Sequence, residues 1–272
     1  MSVIGTRTAR VIAVTSGKGG TGKTNVSVNL GVSLARLGRR TMLVDCDVGL
    51  ANANILLGVD SDLTIADLTT RERRIGEVTR MGPAGMMLLP GHSGTGLGGG
   101  LGDGARAVLA DAFRPHVDDY DHVLVDTGGG MAGEGLSLVA SSDLILVILA
   151  SEPTAFMDAY ALVKGLALRH GCTDFAIVAN RVGVGEGRAL FDRFKGVVGR
   201  FLPANLDYLG SIPDDPYLRD AVYAKRCCVE AFPGSPASRA FGRLAERIAG
   251  LDMPMMPGGH RFFGLEAAHG AH

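Results

Sequence analysis

A chain of 272 residues with 46% hydrophobic content can build one large α/β domain, yet no apolar run approaches the roughly 20 residues that a membrane-spanning helix needs. Its formal charge of −1, from 27 basic and 28 acidic residues, excludes a global attraction to nucleic acid or anionic lipid. The four cysteines, Cys46, Cys172, Cys227 and Cys228, are scattered without a C-x-x-C pair, which argues against a zinc site or a disulfide framework and for reduced packing thiols.

The amino-terminal stretch MSVIGTRTARVIAV lacks the long apolar segment and small-residue cleavage site of a secretory signal, so a cytoplasmic location is expected. Arg10–Thr15 is then the first of seven short aliphatic and β-branched runs, followed by Thr41–Asp45, Met86–Leu89, His122–Asp126, Leu144–Leu149, Phe175–Ala179 and Tyr208–Ile212. Most are apolar on both faces, as strands buried within a parallel sheet are, and the helix-like stretches between them fit crossover connections. This alternation predicts a doubly wound, mostly parallel α/β sheet with helices on both faces. Residues 1–252 are expected to form one domain, and 253–272, rich in Pro, Gly and His, a poorly ordered tail. The segment GHSGTGLGGGLGDG, Gly91 to Gly104, reads as a slack surface linker without a ligand.

Open parallel sheets collect ligands at the carboxyl ends of their strands, and the chemistry-bearing motifs sit there. Between the first strand and the next helix, Gly17 to Thr24 spells G-x-x-x-x-G-K-T. Gly17, Gly19, Gly20 and Gly22, with Thr21 among them, let backbone N–H groups turn inward around phosphate oxygens, and the helix directs its positive end at the same charge. Lys23 is placed to reach the β- and γ-phosphates, and the Thr24 hydroxyl to meet Mg²⁺. Lys18 is a second lysine that cradling phosphate within one subunit does not require. Further on, LVDCD places Asp45 at a strand end and Asp47 two residues beyond, and HVLVD places Asp126 at another; carboxylates there can hold a metal and align a water.

Lys18-Gly19-Gly20-Thr21-Gly22-Lys23-Thr24 resembles the K-G-G-x-G-K-T signature of the deviant Walker A ATPases, the MinD/ParA superfamily. That resemblance implies ATP with Mg²⁺, and a Lys18 that reaches across a dimer interface to the partner subunit's ATP. It implies that Asp47 positions the attacking water, while Thr24 ligates Mg²⁺ and Asp45 and Asp126 support the ion through its water shell. It also implies that Asn180, at the end of DFAIVAN, and Pro213 and Asp214, in SIPDDP, receive the base; the residues alone would read as turns. Longer stretches resemble the flagellar-number ATPases FlhG, FleN and YlxH: the Thr24-Asn25 step, Gly49-Leu50-Ala51-Asn52, EPTAFMDAYALVK at 152 to 164, SIPDDPYLRDAV and SPASRAFGRLAERI. DTGGG at 126 to 130 stands where that family has D-T-G-A-G. The implied function is a slowly hydrolysing, ATP-driven dimerisation switch for flagellar number or placement. It would be a monomer without ATP and would act with an FlhF-like GTPase or a transcription activator. A MinD- or ParA-like positioning ATPase and a nucleotide-binding scaffold without turnover are the alternatives. The end segment HRFFGLEAAHGAH offers Phe262, Phe263 and Leu265 with only Arg261, so a weak or partner-assisted membrane contact is expected, and specific nucleic-acid binding is not.

Overall fold

In the computed structural model, which describes residues 9–47, 51–70, 72–92, 103–116, 118–129 and 133–251, the apolar runs pair into one eight-stranded sheet. Its strands are β1 (Arg10–Thr15), β2 (Thr41–Cys46), β3 (Arg80–Met81), β4 (Met87–Leu89), β5 (His122–Thr127), β6 (Leu144–Ala150), β7 (Asp174–Val182) and β8 (Asn205–Pro213). They lie in the order β3-β4-β2-β5-β1-β6-β7-β8, and every pairing is parallel except β3 with β4. All seven predicted strands are present. The eighth, β3, was not foreseen, because two residues at a sheet edge are too few to carry a periodic signal.

The helices are α1 (Lys23–Arg36), α2 (Ala53–Leu57), α3 (Ile65–Thr69), α4 (Ile75–Val78), α5 (Asp103–Phe113), α6 (Gly133–Ala140), α7 (Pro153–His170), α8 (Glu186–Phe201), α9 (Pro216–Tyr223), α10 (Cys228–Ala231) and α11 (Pro236–Ala249). They cover both faces of the sheet, and strand alternation assigns side chains to each. Ile12 and Val14 of β1, Leu124 of β5 and Leu146 and Ile148 of β6 pack with α1 and α11. Ala13, Ile145, Val147 and Leu149 face the opposite way, against α6, α7 and α8. Val11, Met42, Val44, Val123 and Val125 meet α3, α4 and α5. Apolar residues on both faces are what a sheet sandwiched between helix layers requires.

The connection after β1 runs to one side of it, over β5 to β2, whereas the chain later crosses from β5 to β6 on its other side. This reversal beside β1 is the topological switch point, and it opens the crevice at the carboxyl end of β1. Residues 93–102 of the glycine-rich stretch and the tail from 252 onward lie outside the described residues, as do Gly49 and Leu50. Among the described residues, no helix is long and apolar enough to cross a membrane.

Candidate functional site

The loop from Ser16 to Gly22 occupies that crevice and leads straight into α1. Its shape is fixed from within: the buried Ser16 hydroxyl donates to the Lys18 carbonyl at 2.7 Å, and the Thr21 hydroxyl donates to Ser16 Oγ at 2.8 Å. Gly22, the N-cap of α1, sits at φ 90°, and a Cβ there would come within 2.5 Å of Asn180 Nδ2, so glycine is needed on both counts. Gly17 is pressed against α7, where a Cβ would fall 2.0 Å from the Asp158 carbonyl carbon. No side chain caps the N-terminus of α1, which leaves its first N–H groups and its positive dipole end facing the loop.

Three aspartates approach from β2 and β5. Asp45 and Asp126 are register partners on these adjacent strands, and both are almost fully buried. Asp45 Oδ1 accepts from the Asp47 N–H and Oδ2 from the Ala53 N–H, each at 3.1 Å, tying the end of β2 to the start of α2. Asp126 Oδ1 accepts from Ser27 Oγ at 3.0 Å, whereas its buried Oδ2 has no partner. Desolvation, reinforced by Asp45, pushes the Asp126 carboxyl up to about 7, with Thr24, Lys23 and Ser27 acting against the rise. Asp45 is pushed up to about 6, again chiefly by desolvation. Burial also raises Asp47, opposed by the charge of Lys23.

These features fit a nucleotide with its metal. The loop can keep this shape because Gly17 and Gly22 lack side chains that would strike Asp158 and Asn180, and the orphaned Asp126 oxygen is an acceptor that a hydrated cation would satisfy. Among the described residues, no cluster of His, Cys, Asp and Glu forms a metal cage on its own. Mg²⁺ does not need one, because it is commonly held by a hydroxyl or carboxylate together with substrate phosphates and waters.

The predicted base residues are only partly brought together. Asn180 ends the buried part of β7 and donates through Nδ2 to the Thr21 carbonyl at 2.7 Å, so part of its amide braces the phosphate loop. A register shift between Asn180 and Val182 bulges the strand and puts Arg181 at φ 58°, which turns its guanidinium back to the Gly20 carbonyl at 3.3 Å. Pro213 pairs with Val182, and the exposed Asp214 donates its N–H to the Val182 carbonyl. Asn25 faces its own helix, accepting from Asn29 Nδ2 at 2.7 Å. Lys18 donates from Nζ to Thr154 Oγ1 on α7 at 2.8 Å. None of the four cysteines is joined in a disulfide; Cys227 and Cys228 are buried, and burial pushes Cys227 up to about 11, as suits packing residues.

Ser16, Ser27, Thr154 and Arg181 were not singled out from the sequence. Ser27 had a signal, since it lies three residues after Thr24 and so near the same face of α1; the other three depend on tertiary placement.

Residues 12–226 match the CobQ/CobB/MinD/ParA nucleotide binding domain. The chain belongs to this family. It is 43% identical over 258 residues to the antiactivator FleN of Pseudomonas aeruginosa, covering 94% of this chain and 92% of FleN. It is 31% identical to the flagellum site-determining protein YlxH of Helicobacter pylori, covering 89% of this chain and 81% of YlxH. Among solved structures, the septum site-determining protein MinD complexed with Mg-ADP from Pyrococcus horikoshii superposes with a TM-score of 0.72 at 26% identity, covering 89% of this chain and 96% of MinD. The match to the family domain and to FleN bears out the resemblance carried by the phosphate loop and the longer motifs.

Proposed function

We propose that the chain is a Mg²⁺-dependent ATPase that dimerises with ATP, resets by slow hydrolysis and thereby controls flagellar number or placement. The observation that carries the chemistry is the phosphate loop beside a buried carboxylate with an unsatisfied oxygen. The relatives FleN and YlxH support the flagellar role.

In this reading, the loop backbone from Gly17 to Gly22 holds the phosphates, Lys23 neutralises their charge and Thr24 Oγ1 faces the metal. Mg²⁺, when bound, neutralises charge on the β- and γ-phosphate oxygens. Asp126 and Asp45 orient the hydrating waters, and binding of a cation holds both carboxylates ionised where burial alone disfavours charge. Asp47 orients the attacking water, and Lys18 serves the nucleotide of a second subunit. Asn180, Pro213 and Asp214 border the base, and Asn25 belongs to the first turn beyond the phosphates. Catalysis then rests on positioning and charge neutralisation, without a covalent intermediate. The chain acts in the cytoplasm, as a monomer without ATP, with an FlhF-like GTPase or a flagellar transcription activator as partner and a weak peripheral membrane contact.

The test is genetic. Host cells lacking this chain are expected to show altered flagellar number or position by electron microscopy, restored by the wild type and not by Lys18→Ala. Normal flagellation in the deletion strain would contradict the flagellar role and leave the ATPase chemistry to be judged separately.

A further inference from the structure

Two successive residues of the phosphate loop meet two residues of α7 that lie one helical turn apart. The Gly17 backbone packs on that of Asp158, and the Lys18 ammonium bonds Thr154, four positions earlier and therefore on the same helix face. The backbone contact sets the offset between loop and helix, so Thr154 stands at a fixed place relative to the lysine. Pro153 at the start of α7 presets the backbone of that turn. An ammonium has three donors, and Thr154 takes one, leaving two for a phosphate.

We propose that Thr154 is a positioning residue that holds Lys18 outside its own phosphate cradle, preset for the nucleotide of a second copy. This rests on the reading of Lys18 as the residue that serves the other subunit. A lysine side chain must give up many rotamers to fix its ammonium, and a hydroxyl that orders it beforehand moves that loss out of the association step. A twofold dimer uses the pair twice, so removing the hydroxyl acts at both sites.

The test compares wild type, Thr154→Val and Thr154→Ser with Mg²⁺ and a non-hydrolysable ATP analogue, following mass by light scattering through a dilution series. Thr154→Val, which keeps the branched shape and loses the hydroxyl, is expected to weaken the dimer about tenfold, and Thr154→Ser to dimerise like the wild type. Nucleotide affinity of the dilute monomer and the melting temperature without nucleotide should match across all three. A Thr154→Val dimer as tight as the wild type would overturn the inference alone, as would a serine variant as weak as the valine variant. Reduced monomer affinity in Thr154→Val would also overturn it, because the hydroxyl would then serve the cradle and not the lysine. A wild type that stays monomeric would remove the dimer reading and this inference with it.

Discussion

Replacing Asp126 by asparagine removes a charge that the nucleotide-free protein holds at a cost. The side chain is fully buried, its Oδ2 lacks a partner, and its rung-mate on β2 is another carboxylate, Asp45. With its pKa at about 7 against an ordinary 3.8, the folded chain binds this proton more tightly than the unfolded chain does. The contribution to stability is therefore complete below about pH 4 and is lost as pH rises to 7. At 1.36 kcal/mol per pH unit the gap is roughly 4 kcal/mol, and relaxation and coupling to Asp45 reduce the expected effect to roughly 2–4 kcal/mol. Thermal unfolding in a chelator, without nucleotide, at pH 5.5 and pH 8 measures it. At pH 8, Asp126→Asn is expected to melt about 5–10 °C above the wild type, with a smaller difference at pH 5.5. Mg-ATP should reverse the order by stabilising the wild type more. An asparagine variant that melts below the wild type at pH 8 without Mg²⁺ would refute the reasoning, because the carboxylate would then be satisfied within the protein.

Three further outcomes follow from the same geometry. His122 is buried with an unpartnered Nδ1 and lowered from 6.5 to about 4, mainly by desolvation; its stability contribution is present above pH 6.5 and lost as pH falls to 4, so His122→Leu should flatten the acid side of the melting curve over that window. Gly17→Ala would drive a methyl into the α7 backbone, so ATP affinity measured by calorimetry should fall by more than about tenfold while far-UV circular dichroism stays unchanged. Asn180→Ala removes the brace on the Thr21 carbonyl and should weaken ATP and ADP binding alike, by roughly 1 kcal/mol in fluorescence titration; an unchanged affinity would detach Asn180 from the site.

The strands were legible because burial on both faces forces runs such as Leu144–Ala150 to be apolar throughout, and the phosphate loop because its function fixes both residue type and spacing. Asp45 and Asp126 were readable as strand-end carboxylates, but their register pairing, through which Asp45 adds to the rise at Asp126, depends on β2 lying next to β5, something local sequence does not specify. Asn180 was read through resemblance as a base contact, while its bond to Thr21 joins residues 159 positions apart in the sequence. Arg181 was missed because the bulge that turns it into the left-handed region leaves no local mark. Thr154 sits 136 residues from Lys18, and only the packing of α7 on Gly17 brings the two together.

In the proposed cycle, ATP joins two copies of this chain through Lys18 and hydrolysis at Asp47 separates them. Its most direct test is the solution mass, by light scattering, of wild type, Lys18→Ala and Asp47→Ala with Mg-ADP and with Mg-ATP. Monomers are expected throughout in Mg-ADP; in Mg-ATP, a dimer that decays with turnover is expected for the wild type, a lasting dimer for Asp47→Ala and a monomer for Lys18→Ala. A Lys18→Ala protein that dimerises as the wild type does, or a wild type that binds ATP and stays a monomer, would contradict this cycle.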